Sequence, residues 1–188
     1  SLTSINCTYN NLTSLDLSKN TSLSNVTNAM IGNQSVSLKA NFDGNMIVIP
    51  FENSNLDNDN YVSSTLDDYG DGSGFNFESF IAYDVSEIDG GIEYYCNTKL
   101  AGSENMKVSV TVSRDFHQVS FYADSENTSL IGRAFANDGQ SVTAPEIKNP
   151  PQCKVLDTWS DTLDNVTGDK SIYANWKDAH SYSLSSFS

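Results

Sequence analysis

Residues 2–23 carry the sequence LTSINCTYNNLTSLDLSKNTSL, in which apolar side chains and asparagines return at fixed intervals. The order is Leu2-x-x-Ile5-x-Cys7-x-x-Asn10-x-Leu12 and then Leu12-x-x-Leu15-x-Leu17-x-x-Asn20. The pattern weakens from Leu23 onward. Two successive half-units of this kind make a full turn of about 21 residues, a period typical of stacked coils. The stretch therefore predicts a coiled chain with apolar side chains directed inward.

Each coil is expected to contain a short inner strand, because leucine and isoleucine alternate there. Asn10 and Asn20 are expected to hydrogen-bond main-chain groups in the turns. The pattern is that of a leucine-rich repeat, and residues 12–23, with the core LDLSKN at residues 15–20, closely resemble the internalin-type and related repeats of bacterial surface proteins. The resemblance covers residues 2–34. It implies that residues 1–34 are the last coils of an array that begins upstream, since about three coils are needed to bury a core.

Residues 35–115 change to a period of two and predict an antiparallel β domain that caps the array. We expect a hairpin in which residues 36–40 pair with residues 46–49 across a turn at Asp43-Gly44-Asn45. Three further strands are predicted, at residues 75–85, 92–100 and 106–113. Turns rich in glycine, aspartate and asparagine separate them.

Residues 116–177 form a third segment, with strands predicted at residues 118–123, 130–135 and 171–176 and an extended stretch around Lys154-Val155-Leu156. The order of Gly139, Ala144-Pro145, Pro150, Trp159 and the closing strand resembles the Listeria-Bacteroides repeat, also called the internalin B-repeat. The resemblance implies a small β-grasp-like module. Gln152-Cys153 and Thr158 depart from the family pattern. Residues 178–188 are a polar tail.

The two tryptophans, Trp159 and Trp176, both lie in this third segment. We expect them to form the aromatic core of a module that has few other large apolar residues. An exposed binding platform is the alternative.

The chain is acidic, with 24 Asp and Glu against 10 Lys and Arg and a formal net charge of −14. Such a surface disfavours nucleic-acid binding, which needs clustered cations to neutralise phosphates. No apolar run approaches the length of a membrane span, so membrane insertion is not expected.

An acidic loop, residues 57–72, concentrates oxygen ligands next to glycines. Its spacing does not match an EF-hand, because tyrosines occupy ligand positions. A solvated acidic turn is therefore the expectation. If the loop held calcium, the ligands would be Asp57, Asp59, Asp67 and Asp71. No other cofactor is expected.

No catalytic constellation is evident in the sequence. His117 is interpreted as a surface histidine beside a strand, and His180 lies in the polar tail. Cys7, Cys96 and Cys153 are far apart and are expected to be small buried side chains. Paired carboxylates, as glycosidases use, are weak evidence for an active site here, because a chain with this many acids brings some of them close together in any fold.

The sequence thus predicts a mostly β, non-enzymatic fragment of an extracellular bacterial surface protein: the end of a leucine-rich-repeat solenoid, an antiparallel β cap and a β-grasp-like module. The repeats would bind a host or matrix protein or a glycan. The alternative is a glycan-binding or glycan-active accessory module that uses the acids of the loop beside Tyr61 and Tyr69.

Overall fold

The computed structural model describes residues 2–51, 56–76 and 78–179, and the chain divides into two compact units, Ser1–Asp115 and Phe116–Ser188. Both units are built mostly of β-strands, as the sequence predicts. The finer division of the first unit at residue 34 and the limit of the third segment at residue 177 stay predictions. None of the described helices has the length and apolar character that a bilayer crossing requires.

The first unit contains eight strands among its described residues: β1 (Gln34–Lys39), β2 (Asn41–Asp43), β3 (Met46–Pro50), β4 (Tyr61–Ser64), β5 (Gly74–Asn76), β6 (Ser79–Ala82), β7 (Ile92–Cys96) and β8 (Met106–Ser113). A four-residue helix, α1 (Asn28–Ile31), precedes them. Short 3₁₀ turns occupy Asp67–Tyr69 and Val85–Glu87. The strands form two sheets, in the orders β1-β8-β7-β4 and β2-β3-β6-β5.

The first strand pairs differently from the prediction. β1 lies parallel to β8, with Val36 opposite Val110 and Leu38 opposite Val112. The hairpin is instead made by β2 and β3, whose ends meet at Asp43 and Met46. Alternating apolar residues bury one face of a strand whatever its partner, so the pattern could not distinguish the two pairings. The prediction of an antiparallel domain is therefore wrong at this edge of the first sheet.

Most of the remaining predicted strands overlap observed ones. The prediction missed β4, which lies inside the acidic loop that was expected to be a solvated turn, and it extended the strand at residues 92–100 beyond the end of β7 at Cys96. The single strand expected at residues 75–85 is two antiparallel strands, β5 and β6, which pair from Phe75 opposite Phe80 to Asn76 opposite Ser79. The 3₁₀ turn at Val85–Glu87 follows β6. Its N-cap is Asp84, whose carboxylate accepts a hydrogen bond from the Ser86 N–H. The predicted strand at residues 106–113 has the observed limits of β8.

An aromatic cluster forms the core of the first unit. Phe80 on β6 lies 5.4 Å from Tyr94 on β7, measured between ring centroids, and so connects the two sheets. The Phe51 ring meets both of them edge-on, at 5.6 and 5.5 Å. All three side chains are at most 2% exposed. Such contacts contribute about 0.5–1.5 kcal/mol per pair beyond the area that they bury.

Residues 2–27 contain turns and irregular main chain, and the short inner strands predicted there are not formed. Leu17, Leu23 and Val26 are nevertheless buried, whereas Leu2 is 43% exposed. Asn10 donates a side-chain hydrogen bond to the Thr8 carbonyl, as expected of a turn asparagine. This segment will be called the N-terminal coil.

The second unit is one four-stranded sheet, built from β9 (Phe116–Tyr122), β10 (Leu130–Asn137), β11 (Lys154–Trp159) and β12 (Lys170–Asp178). The order is β10-β9-β12-β11, and the central pair, β9 and β12, is parallel. The connection from β10 to β11 has no helix within residues 138–153. The core residues are Val119, Phe121, Ala136, Val142, Val166 and Ile172.

The two tryptophans have different environments. Trp159 packs against the core, with its ring edge-on to Phe121 at a centroid distance of 5.0 Å, which confirms its predicted place. Trp176 is half-buried, and its indole N–H donates a 2.8 Å hydrogen bond to the Ala123 carbonyl. The idea of a core formed by both rings is therefore correct for Trp159 alone.

Candidate functional site

The acidic loop begins with a self-contained turn after Leu56. The Asp57 carboxylate accepts hydrogen bonds from the N–H groups of Asp59 and Asn60, at 2.9 and 3.0 Å. The Asn60 side-chain oxygen accepts a 2.8 Å bond from the Asp57 N–H in return. Aspartate and asparagine favour such local bonds to the main chain. The Asp57 carboxylate thus stabilises its own turn.

Asp67 is bound in the same way, at the start of the 3₁₀ turn. One carboxylate oxygen accepts a 2.6 Å bond from the Tyr61 hydroxyl and a 2.7 Å bond from the Ser64 N–H. Burial, followed by this bond to Asp67, raises the pKa of Tyr61 well above its ordinary value. Tyr61 therefore acts as a neutral donor that fixes the Asp67 carboxylate.

Asp71 lies in a third turn, where its carboxylate accepts bonds from the N–H and the hydroxyl of Ser73. The Ser73 hydroxyl also lies 2.8 Å from a carboxylate oxygen of Glu87, which is 7% exposed. That oxygen accepts a bond from the Tyr83 N–H as well. Glu87, which the sequence did not single out, anchors the loop to the end of β6.

The four aspartates named as calcium candidates are thus engaged in separate turns. Asp57 and Asp59 share one, while Asp67 and Asp71 belong to two others. Within residues 2–51, 56–76 and 78–179, no three acidic, histidine or cysteine side chains are placed to hold a metal ion. Calcium binding by these aspartates stays a prediction.

The two tyrosines of the glycan alternative differ in exposure. The Tyr61 ring stacks on Phe75 at 4.9 Å with an interplanar angle of 26°, and it is half-buried. Tyr69 is 51% exposed. Tyr61 contributes to packing, so a sugar-stacking surface at this loop would depend on Tyr69.

His117 lies in β9 and pairs with Asp138, with 3.0 Å between Nε2 and the carboxylate oxygen. Its side chain is 23% exposed, so it is less of a surface residue than expected. His180 lies outside the described residues.

The three cysteines occupy three environments. Cys96 is buried as predicted, and burial raises its pKa to about 11. Cys7 is half-buried, with a pKa also raised by burial. Cys153 is exposed, and the prediction is wrong there: the residue takes a positive φ of 60° in the turn before β11, which leaves its side chain outside the core.

An open notch of about 440 Å³ lies beside Trp176 in the second unit. Residues 123–126, which follow β9, line one side, and residues 173–176 of β12 line the other. It will be called the Trp176 notch. In the sequence, only the tryptophan pointed to this notch. The aspartate and glutamate that also line it come from a loop about 50 residues earlier in the chain, so no local motif contains all three residues.

The notch exists because β9 ends before β12 does. The pairing of the two strands stops at Tyr122 opposite Tyr173, while β12 continues to Asp178. The loop after β9 then turns away. Its shape is held by Asp124, whose carboxylate accepts bonds from the Thr128 N–H and hydroxyl and from the Ser129 N–H.

Comparison of the chain with models of known protein families, with curated proteins and with solved structures gave no match.

Proposed function

We propose that this chain is a non-enzymatic part of an extracellular bacterial surface protein that binds a host or matrix protein or a glycan. Residues 1–34 would be the last coils of a leucine-rich-repeat array, residues 35–115 its cap, and residues 116–177 a β-grasp-like spacer. In such an array, exposed residues on the concave strand face vary and bind, while the inward leucines keep the coils stacked.

The observation that carries the proposal is that the N-terminal coil bonds to residues about one predicted turn further along the chain. The Cys7 N–H donates a 2.9 Å hydrogen bond to the carbonyl of Met30, 23 residues later. The Leu12 N–H donates to the side-chain oxygen of Gln34, 22 residues later. Both separations are close to the turn of about 21 residues that the repeat predicts.

The same coil is joined to the sheet that follows it. The Leu17 N–H donates to the Thr98 carbonyl beyond β7, and the Glu104 N–H donates to the Val26 carbonyl. A cap must make bonds of this kind, because the last coil of a solenoid otherwise leaves main-chain groups and apolar area in water.

The second unit supports the spacer role through its strand order. A mixed four-stranded sheet with a parallel central pair of first and last strands is the arrangement expected of a β-grasp-like module. The net charge of −14 favours solubility and disfavours direct docking to anionic lipid.

The glycan-binding alternative would place a sugar at Tyr69, which is 51% exposed beside the acidic loop. This alternative has less support than binding through the repeat array, because the Tyr61 ring is stacked on Phe75 and is not free to stack on a sugar.

The repeat array can be tested by extending the coil. Two copies of residues 2–22 are fused before residue 1 of the full chain, and the control fusion carries the same residues in scrambled order. If the coil accepts further coils, the repeat fusion raises the Tm above both the parent and the control, and it slows amide exchange in residues 2–12. The proposal would be overturned if the two fusions had the same Tm and exchange.

The binding role is tested with the repeat fusion coated on beads and passed over a printed panel of matrix proteins and glycans. Retention is expected for the repeat fusion and not for the scrambled control. Equal retention of the two would contradict binding through the array.

A further inference from the structure

The Trp176 notch combines an aromatic ring, acidic side chains and a free stretch of strand edge. The described residues that line it include Asp124 and Glu126 and no lysine, arginine or histidine. Trp176 is half-buried, and its N–H is already bonded to the Ala123 carbonyl. The indole is therefore held in place and does not need a ligand to satisfy its only donor.

The polar groups of the notch are mainly acceptors. Asp124 accepts three hydrogen bonds from its own loop, and these bonds lower the pKa of its carboxyl, so it stays charged. The Asn175 amide nitrogen donates a hydrogen bond to Thr158, and its side-chain oxygen adds a further acceptor to the lining. Glu126 is exposed and adds a second negative charge.

The nearby lysines do not neutralise this charge. Lys177 pairs with Asp157 at 2.8 Å, and Lys154 pairs with Asp178 at 2.7 Å. Each of these cations already has a carboxylate partner on the neighbouring strand. The notch therefore keeps the negative charge of Asp124 and Glu126.

The main-chain groups along one edge of β12 could pair with an extended peptide. The carbonyl of Tyr173 accepts from Ser160, and the Ala179 N–H donates to Cys153, so odd-numbered residues of β12 direct their main-chain groups toward β11. By the alternation of a strand, Ala174, Trp176 and Asp178 direct theirs to the other side. That is the side on which β9 stops pairing after Tyr173.

We propose that the Trp176 notch binds a basic side chain, arginine or lysine, carried on an extended segment of a protein partner. A guanidinium or ammonium group is attracted to the face of a tryptophan and to carboxylates, and it supplies hydrogen-bond donors to the acceptors of Asp124 and Glu126. The extended segment would add beside β12, where a peptide can pair with a strand edge. The site belongs to the second unit and does not involve the N-terminal coil.

The test uses the full chain labelled with ¹⁵N and the peptide acetyl-Thr-Arg-Thr-Arg-Thr-amide. The indole N–H signal of Trp176 is expected to shift during the titration, and that of Trp159, which lies in the core, is expected to stay. A peptide with citrulline in place of arginine keeps the shape and loses the charge. It should bind about fivefold more weakly or worse. Raising the salt from about 20 to about 200 mM should weaken the arginine peptide as well.

Two substitutions with the same loss of charge separate the notch from the general acidity of the chain. Glu126→Gln should weaken the arginine peptide about two- to fivefold, while Glu146→Gln, outside the notch, should leave its affinity unchanged. Trp176→Phe, which keeps a ring, should bind more weakly than the parent and more tightly than Trp176→Leu.

Three results would overturn the proposal. One is an unshifted Trp176 signal at millimolar peptide. Another is an equal effect of Glu126→Gln and Glu146→Gln, which would indicate attraction to the acidic chain as a whole. The third is a shift of the Trp176 signal by neutral maltotriose and not by the arginine peptide, which would assign the notch to glycans.

Discussion

The hydroxyl of Tyr94 donates a 2.6 Å hydrogen bond to the main-chain carbonyl of Thr13, 81 residues earlier in the chain. Tyr94 stands in β7 within the aromatic core, and its ring is fully buried. The Tyr94 side chain is therefore one of the groups that connect the irregular N-terminal coil to the packed sheet. Burial also raises the pKa of Tyr94 far above its ordinary value, so the hydroxyl stays a donor over the whole physiological range.

Tyr94→Phe is expected to lower the free energy of unfolding by about 1–2 kcal/mol, because it leaves the Thr13 carbonyl without this donor while keeping the ring contacts. Urea unfolding of the full chain measures the loss. The matched control is Tyr95→Phe in the next position, where the ring is 37% exposed and the change should be within about 0.5 kcal/mol. Equal losses in the two variants would contradict a special role of the bond.

Gln34, the first residue of β1, makes further polar connections to the N-terminal coil, at Cys7 and Leu12. Its side chain is fully buried, accepts from the Leu12 N–H, and donates to the carbonyls of Cys7 and Ile31. Gln34→Leu is expected to cost about 3 kcal/mol, since it removes partners from three main-chain groups. It should also speed amide exchange at Leu12 by at least about tenfold.

The control for Gln34 is Gln152→Leu, which changes an exposed glutamine in the second unit. It should leave the exchange of Leu12 unchanged. Slow exchange at Leu12 in the Gln34→Leu protein would mean that the coil is held by its apolar residues alone.

Most strands of this protein were predictable in position, although β4 was missed, and the partner of each strand was harder to predict. The alternation of Val108, Val110 and Val112 identifies β8 within its observed limits. The same alternation in β1 was assigned to a local hairpin, whereas β1 lies parallel to β8, some 70 residues away. A period of two records which face is buried and carries no information about the neighbour across the sheet.

In the acidic loop, the composition of the sequence did not predict the geometry. The acidic composition of residues 57–72 suggested a solvated turn, but the segment contains β4 and the fully buried Leu66. Its aspartates bond to the main chain of their own turns, as Asp57 does to Asp59 and Asn60. The Trp176 notch depends on where β9 stops relative to β12. That position follows from the packing of the whole sheet and not from any local motif.

Gly74 is a position where the backbone and the loop together require glycine. Its φ is 141°, and a Cβ built there would lie 2.6 Å from a carboxylate oxygen of Asp67. Gly74→Ala should lower the free energy of unfolding by about 1–3 kcal/mol, as expected for a strained backbone and a close contact. The comparison is Gly90→Ala, where a Cβ meets nothing within 4 Å.

A second measurement on Gly74→Ala distinguishes the contact from backbone strain. Displacement of the Asp67 carboxylate should weaken its bond with Tyr61, so Tyr61 should titrate at lower pH than in the parent, which ultraviolet absorbance can follow. If the titration of Tyr61 stays where it is, the cost of the substitution comes from the backbone alone.

Cys96 makes the stability of the first unit sensitive to alkaline pH. Burial raises the pKa of its thiol from an ordinary value of 9.0 to about 11. A thiol that is harder to ionise when folded stabilises the fold fully below pH 9, and this contribution is lost as the pH rises from 9 toward 11. The loss should be roughly 2–3 kcal/mol across that interval. Cys96→Ala should therefore show a flatter decline of stability between pH 9 and 11, while the contribution of Tyr94 to the decline remains in both proteins.

A thiol-reactive dye offers an independent check near neutral pH. The exposed Cys153 should react first, the half-buried Cys7 more slowly, and Cys96 only after denaturant is added. Rapid labelling of Cys96 in the native Cys153→Ser protein, or an unchanged pH slope in Cys96→Ala, would contradict the burial of this thiol.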